Sequence, residues 1–220
     1  MLNESDYQLL PEDYSNYDLN FKIIIVGDPG VGKSCITMKA VKKIFEDYYS
    51  PTVGFEFYTF KVRIKETDIR LQIWDTCGQE NYRSLIQGFY RNSSLAILVY
   101  AIDNAKSFEN LELWLNDIKM NSNPNIRIFL IGNKKDLEEN REVHTDDAET
   151  FSQEHNLNLF LESSAKSGFN TEKMFVEAAH ILFEDSQKLK MDIDRDSNLS
   201  QNQIITEDNT DEPKKRKKCC

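Results

Sequence analysis

The segment GDPGVGKS, residues 27–34, matches the pattern G-x-x-x-x-G-K-[ST] in full and follows an apolar run of strand length. Glycines let backbone N–H groups turn inward around phosphate oxygens, and a helix that begins here points the positive end of its dipole at them. Lys33 can reach the β- and γ-phosphates, and the Ser34 hydroxyl can bind Mg²⁺. The segment therefore predicts a nucleoside triphosphate site rather than a glycine-rich turn without a ligand. The expected binding residues are Gly30, Val31, Gly32, Lys33, Ser34 and Cys35.

The segment NKKD, residues 133–136, carries groups that distinguish guanine from adenine. The Asp136 carboxylate can accept hydrogen bonds from N1–H and from the exocyclic amine of guanine. Adenine lacks both donors and would leave that carboxylate unpaired. We expect Asn133 to brace the loop and the stem of Lys134 to cover one face of the base.

The segment SSAK, residues 163–166, is expected to complete the base site. The backbone N–H of Ala165 can donate to the guanine carbonyl, Lys166 can cover the base, and Ser164 belongs to the same binding loop. Alone, SSAK and NKKD have the composition of ordinary polar turns. Both follow predicted strands, however, and ligands bind at the carboxyl ends of strands in open α/β sheets. Together with the phosphate loop they favour GTP or GDP.

Two further segments are placed to sense the γ-phosphate. In WDTCGQE, residues 74–80, Asp75 is expected to hold Mg²⁺, the Gly78 N–H to meet the phosphate, and Gln79 to orient the attacking water. Upstream, the Thr52 hydroxyl can bind Mg²⁺ while its N–H bonds the phosphate. Taken singly, Thr52 is better interpreted as a strand-entry residue and Gln79 as an exposed polar residue in a loop. With the other motifs, they predict an order–disorder switch.

The elements that must position these groups are short apolar runs that alternate with helical patterns. Helical periodicity appears between Phe108 and Ile118 and again from Thr171 to Glu184. Alternation of strands and helices predicts an α/β fold with a six-stranded, mostly parallel sheet and helices on both faces. One hairpin adds an antiparallel edge strand. The predicted strands span residues 21–26, 57–64, 69–74, 95–101, 126–132 and 157–163.

Composition divides the chain into three parts. Residues 1–20 are predicted to form a flexible acidic arm, residues 21–186 the folded domain, and residues 187–220 a disordered linker with a basic end. The formal net charge is -10, which argues against nucleic-acid binding. The four cysteines show neither a disulfide framework nor zinc spacing, so a reducing, cytosolic setting is expected.

The chain ends in KKRKKCC, residues 214–220. A basic cluster of this kind is compatible with a nuclear localisation patch or with attraction to anionic lipid. The adjacent terminal cysteines favour the membrane.

These motifs, in this order, resemble those of a Ras-superfamily small GTPase, and more narrowly those of a Rab. The resemblance implies the P-loop small GTPase fold. The resemblance covers about residues 21–184 and the extreme C-terminus. The stretches that resemble Rabs are RLQIWDTCGQE (70–80), YRSLI (82–86), FYRNSSLAILVYAID (89–103) and the final Cys-Cys.

The resemblance implies a GTPase that hydrolyses GTP to GDP and phosphate with Mg²⁺ and regulates vesicle-mediated membrane traffic. It implies geranylgeranyl groups on Cys219 and Cys220, which place the protein on the cytoplasmic face of an intracellular membrane, cycling with the cytosol. Phe57, Trp74 and Phe89 would form the surface that effectors read. Further implied partners are an exchange factor, a GTPase-activating protein and a GDP-dissociation inhibitor, and a monomer is expected.

The chain departs from the family at positions that bear on hydrolysis. Pro29 stands where Ser or Gly is usual, Cys77 where Ala is usual, and Ala101 where Rabs often have Asp. Proline fixes φ and removes one N–H donor from the loop. Slow intrinsic hydrolysis is predicted, and a non-hydrolysing GTP-binding scaffold is the alternative. An ATP-dependent phosphotransferase would share the phosphate loop but not NKKD and SSAK.

Overall fold

A computed structural model describes residues 6–46, 52, 54–76 and 88–207, with side chains up to residue 193. Several predicted residues lie outside these ranges: Cys77, Gly78, Gln79, Cys219 and Cys220, together with the segments 82–86 and 214–218. The chain divides into two units, Met1–Leu182 and Phe183–Cys220.

The described part of the first unit is built on one sheet with strand order β1-β3-β4-β2-β5-β6-β7. Strands β4, β2, β5, β6 and β7 run parallel, and β3 pairs antiparallel with β4 and with β1. This is the mostly parallel sheet that the sequence predicted. Its strands are β1 (Tyr7–Leu9), β2 (Leu19–Val26), β3 (Phe55–Ile64), β4 (Thr67–Thr76), β5 (Leu95–Ala101), β6 (Arg127–Asn133) and β7 (Leu159–Glu162).

Helical segments connect or follow these strands in the described ranges, and residues 88–90, before β5, are also helical. The helices are α1 (Lys33–Lys42), α2 (Ala105–Glu109), α3 (Leu111–Asn121), α4 (Thr145–Glu154) and α5 (Thr171–Glu207), and the 3₁₀ segment is Lys135–Asn140. None of the described helices combines the length and the apolar character needed to cross a membrane.

Helices cover both faces of the sheet because the strand residues alternate in direction. On one face Ile24 of β2 packs in a buried cluster with Trp114 and Leu115 of α3. On the other face, the rings of Phe60 in β3 and Phe175 in α5 lie 5.5 Å apart between centroids. The doubly covered sheet leaves the carboxyl ends of its parallel strands as the place for a ligand.

The sheet has seven strands rather than the six expected, because the N-terminal arm adds one. Tyr7 and Leu9 of β1 lie opposite Ile64 and Val62 of β3, and Leu10 N donates to Lys61 O at 3.0 Å. The arm is therefore not a free segment over its described length. Its acidic composition predicted mobility, but backbone pairing along the edge of β3 supplies contacts that composition does not reveal.

Further contacts hold the arm to the β3–β4 hairpin. The Tyr14 hydroxyl donates to the Asp68 carboxylate, whose other oxygen accepts from Arg63 Nε at 2.5 Å. Asp68 N donates to Asp18 Oδ2 at 2.8 Å, and Asp18 N returns a bond of 2.8 Å to Asp68 O. The guanidinium of Arg70 lies 3.9 Å from the ring centroid of Tyr17.

The segment predicted to be a disordered linker from residue 187 begins instead as part of α5, which continues to Glu207. No Gly or Pro occurs between Thr171 and Glu207 to end the helix. Opposite charges four residues apart, such as Glu184 and Lys188, also favour helix. The polar composition that suggested disorder is compatible with an exposed helix.

Candidate functional site

A cavity of about 540 Å³ is lined by residues that follow β2, β6 and β7. The predicted binding residues in its wall are Gly30, Gly32, Lys33, Ser34, Cys35, Thr52, Asn133, Lys134, Asp136, Ala165 and Lys166. Three other predicted residues contact this wall from behind: Val31 bonds Asn133, Asp75 bonds Ser34, and Ser164 bonds Asp136. The three sequence motifs thus converge on one cavity.

The phosphate loop ends where α1 begins at Lys33. Gly32 is the N-cap residue, with φ of 92°, and as a glycine it has no side chain to cap the helix. The described first turn contains no acidic residue. The first N–H groups of a helix have no partner within the helix, and the positive end of the α1 dipole lies at the cavity wall, so an anion is the chemical group that suits this position.

Close packing explains Gly32, the last glycine of the loop. A Cβ added at Gly32 would lie 2.3 Å from Nδ2 of Asn133, and that Nδ2 donates to Val31 O at 2.8 Å. On its other side, Asn133 Oδ1 accepts from Ala165 N at 3.2 Å and from Ser163 Oγ at 3.3 Å. The buried amide of Asn133 joins the phosphate loop to the loops that contain NKKD and SSAK, called the base-recognition loops below.

Lys33 is held inside the loop by backbone carbonyls. Its Nζ donates to Gly27 O and to Asp28 O, each at 2.8 Å. These bonds fix the ammonium group beside the cavity despite its near-complete burial. A charged amine in this position is matched to phosphate oxygens.

Three oxygen-bearing side chains, those of Ser34, Thr52 and Asp75, meet beside the phosphate loop and are called the oxygen group below. Ser34 Oγ lies 2.8 Å from Thr52 Oγ1 and donates to Asp75 Oδ2. Asp75 Oδ1 is buried and has no hydrogen-bond partner among the described residues. Burial raises the pKa of Asp75 to about 6, against the opposing effects of the Ser34 hydrogen bond and the Lys33 charge. Hydroxyl and carboxylate oxygens suit Mg²⁺, so these residues fit the predicted metal ion.

The base-recognition residues are held by neighbours. Ser164 Oγ donates to Asp136 Oδ1 and accepts from Ser167 N at 3.0 Å. Lys134 adopts a left-handed backbone with φ of 68°, and its Nζ lies 3.1 Å from Asp103 Oδ1. Ser164 therefore orients the Asp136 carboxylate at the cavity wall.

Glu162, at the end of β7, joins the two base-recognition loops from behind and was not expected from the sequence. Its carboxylate accepts from Arg141 Nη1 at 2.7 Å, from Thr145 Oγ1 at 3.1 Å and from Lys135 Nζ. Burial acts to raise the pKa of Glu162, but the hydrogen bonds from Arg141 and Lys135 outweigh it and lower the pKa. The sequence signal that could have identified Glu162 is its position directly before SSAK.

Other residues in the wall were also missed: Phe45, Glu46, Thr76 and Leu137. Phe45 and Leu137 give the cavity apolar surface suited to a planar base. Leu137 follows Asp136 directly, which was a weak signal. Phe45 stands in a segment with no recognisable motif, so only the fold brings it to the cavity.

An aromatic cluster, defined as Phe55, Phe57, Trp74 and Phe89, lies on β3, β4 and the segment before β5. Trp74 is 5.4 Å from Phe57 and 5.2 Å from Phe89 between ring centroids. Phe55, which sequence reasoning did not include, is 4.5 Å from Phe89. Phe55 and Phe57 are 47% and 48% exposed. The cluster is partly open to solvent rather than purely core.

The predicted catalytic Gln79 and the predicted phosphate ligand Gly78 fall outside the described residues, as do the cysteines expected to carry lipid. The remaining site is assembled from the phosphate loop, the oxygen group at Asp75 and the two base-recognition loops. A sequence model of the Ras family matches residues 22–184. The chain belongs to the Ras family of small GTPases.

Proposed function

We propose that this Ras-family chain is a Rab-type switch that binds GTP or GDP with Mg²⁺ and hydrolyses GTP to GDP and phosphate. The observation that carries the proposal is the single cavity where Lys33, the Ser34 oxygen group and Asp136 meet. These groups match phosphate, Mg²⁺ and guanine respectively.

The chain's own residues divide the work of binding. The N–H groups at the start of α1 and the Lys33 ammonium hold the phosphates. Ser34, Thr52 and Asp75 would hold Mg²⁺, which supplies charge neutralisation at the β- and γ-phosphates when bound. Asp136 selects guanine, and Asn133 keeps the loops together. Gln79 is assigned the orientation of the attacking water from its motif.

Residues of the site lie next to residues of the aromatic cluster along the chain. Asp75, in the oxygen group, is the neighbour of Trp74, and Thr52 precedes Phe55 by three residues. A change in the contacts of Thr52 and Asp75 at the γ-phosphate is therefore transmitted to a partly exposed aromatic surface. We propose that effectors read this surface in the GTP state.

The membrane part of the proposal rests on KKRKKCC. Two prenyl chains on Cys219 and Cys220 are enough for stable anchoring, and the basic residues add attraction to anionic lipid. The proposed setting is the cytoplasmic face of an intracellular membrane in vesicle traffic, with an exchange factor, an activating protein and a GDP-dissociation inhibitor as partners. Changing both cysteines to serine should shift the protein from the membrane fraction to the soluble fraction.

Single-turnover hydrolysis tests the enzymatic proposal. Purified protein is loaded with GTP and Mg²⁺, and bound nucleotide is followed by chromatography. Slow conversion to GDP, with excess ATP failing to displace the GTP, is the expected result. Binding of ATP in preference to GTP would refute the guanine site.

A non-hydrolysing GTP-binding scaffold is the second candidate, and the position of Pro29 in the cavity wall favours it. GTP that persists for many hours would support this candidate. In that case, Pro29→Ser and Cys77→Ala should restore hydrolysis if those residues are the cause.

A further inference from the structure

Asp28 lies inside the phosphate loop, and both of its carboxylate oxygens accept hydrogen bonds from one distant segment. Trp114 Nε1 donates to Oδ1 at 2.7 Å, and Asn110 Nδ2 donates to Oδ2 at 2.7 Å. The two donors stand 82 and 86 residues further along the chain. They therefore tie the loop to α3 across the fold.

The backbone of Asp28 connects the same residue to the phosphate-binding lysine. Its carbonyl accepts from Lys33 Nζ at 2.8 Å. Any displacement of Asp28 moves one of the carbonyl oxygens that position the Lys33 ammonium. The contacts thus run from α3, through Asp28, to the group that faces the phosphates.

The α3 side of this connection is rigid. Asn110 and Trp114 are four residues apart and share one face of the helix. Trp114 is only 3% exposed and packs in the core cluster with Leu115 and Ile118. Asn110 is the N-cap residue of α3, yet its side chain makes no capping bond. Its amide serves the phosphate loop instead of the helix end, where asparagine is ordinarily stabilising.

The charge of Asp28 gives no reason of its own for a carboxylate here, since a negative group beside a phosphate site repels the ligand. What the carboxylate offers is two acceptor oxygens for two donors fixed in the core. Its contribution to nucleotide binding must therefore come through geometry.

We propose that Asp28 is a positioning residue, held by Asn110 and Trp114, which fixes the phosphate loop and slows the release of bound guanine nucleotide. The inference rests on the proposed nucleotide binding. It assigns to α3 a direct influence on how long the nucleotide stays bound.

The test compares Asp28→Ala with Asp28→Asn in the full chain loaded with fluorescent GDP and Mg²⁺. Alanine removes both acceptors. Asparagine keeps one acceptor for Trp114 and, after rotation of the Asn110 amide, donates to the Asn110 carbonyl oxygen. Release from Asp28→Ala should be roughly tenfold faster than from the wild type, whereas Asp28→Asn should stay within about twofold.

Two variants remove the donors instead, and a third serves as a control. Asn110→Ala and Trp114→Phe should each accelerate release, by less than Asp28→Ala. Asn121→Ala removes an asparagine on the same helix whose amide bonds within the helix, to Asp117 O at 2.8 Å. It should release GDP at the wild-type rate. Thermal unfolding of each variant checks that the fold survives.

A spectroscopic readout isolates the bond itself. The chain has two tryptophans, so a ¹⁵N-labelled sample gives two indole N–H resonances, and Trp74→Phe assigns the one from Trp114. That resonance should move in Asp28→Ala and stay close to its wild-type position in Asp28→Asn.

The outcomes separate this inference from the proposed function. A wild-type chain that does not retain GDP would contradict both. If the wild type retains GDP and Asp28→Ala releases it at the same rate, the positioning role is overturned and nucleotide binding stands. Equal acceleration in Asp28→Ala and Asp28→Asn would also overturn it, because keeping the hydrogen bonds to Trp114 and Asn110 would then make no difference to release.

Discussion

Asn133 donates a hydrogen bond from Nδ2 to the carbonyl oxygen of Val31 over 2.8 Å, across 102 residues of sequence. The bond connects the end of β6 to the phosphate loop. Asn133 Oδ1 also accepts from Ala165 N at 3.2 Å. One buried amide therefore connects the phosphate loop, the NKKD loop and the SSAK loop. The loops proposed to bind the base and the phosphates are therefore joined by one side chain.

Asn133→Ala should weaken GDP binding by about tenfold to a hundredfold, since the Val31 carbonyl and the Ala165 N–H lose a buried partner. Asn133→Asp keeps an acceptor for Ala165 but places a second acceptor against the Val31 carbonyl. Its affinity should also fall. Titration with fluorescent GDP measures both, with Asn121→Ala as the control. Wild-type affinity in Asn133→Ala would show that the amide does not connect the loops.

Asp136→Asn should change which base the cavity accepts. Its carboxylate, oriented by Ser164, matches the two N–H donors of guanine. An asparagine amide would lose one of these contacts and would instead match a base with a carbonyl oxygen in place of the exocyclic amine, as in xanthine. GTP affinity should drop by at least about a hundredfold, while xanthosine triphosphate gains. A competition assay between GTP and xanthosine triphosphate measures this preference. An unchanged preference for GTP would show that Asp136 does not recognise the base.

Most residues proposed from the sequence for nucleotide binding line the cavity, because each motif is local and follows a strand whose apolar run is unmistakable. Ser34 and Asp136, for example, are placed by short loops at the carboxyl edge of the sheet. The parallel sheet was predictable for the same reason, since strands and helical patterns alternate along the chain.

Features that arise from long-range contacts were not predictable. The pairing of β1 with β3 depends on the unoccupied edge of a strand more than 50 residues away. The contacts of Glu162 depend on Arg141 and Lys135, which lie 21 and 27 residues away in the sequence. The extension of α5 to Glu207 was missed because polar composition does not distinguish an exposed helix from a disordered linker.

The N-terminal arm should stabilise the fold without contributing to the nucleotide site. Deleting residues 1–18 removes β1 and the contacts of Tyr14 with the hairpin. The melting temperature of the GDP-bound protein should fall by about 3–6 °C, while GDP affinity stays unchanged. Tyr14→Phe, which loses the hydroxyl's bonds to Asp68 and Arg63 but keeps β1, should give a smaller decrease. A truncated chain with an unaltered melting temperature would indicate that the arm makes no net contribution.

Removal of the metal ion should accelerate nucleotide release through the oxygen group. Ser34→Ala takes away the hydroxyl that contacts both Thr52 and Asp75. In the wild type, chelation of Mg²⁺ by EDTA should speed GDP release by at least about tenfold. In Ser34→Ala, release should already be fast and should respond little to EDTA. A variant that keeps the full EDTA response would place the metal ion elsewhere.

Glu162 should make stability depend on pH in a defined direction. Its pKa is lowered in the folded protein by Arg141 and Lys135, against the effect of burial. A group of this kind stabilises fully above its unfolded pKa, near 4.3, and the contribution is lost as pH falls from there through the folded pKa. Glu162→Gln should therefore lower the free energy of unfolding at pH 7 by roughly 2–4 kcal/mol.

The difference between the wild type and Glu162→Gln should shrink below about pH 4, because the Glu162 carboxylate of the unfolded wild-type chain then becomes protonated. Glu138→Gln is the matched control, since Glu138 pairs with the same Arg141 but lies at the surface. It should change stability little at any pH. Urea unfolding at several pH values measures both variants. A Glu162→Gln deficit that is constant from pH 7 to pH 3.5 would attribute the loss to packing rather than to the buried charge.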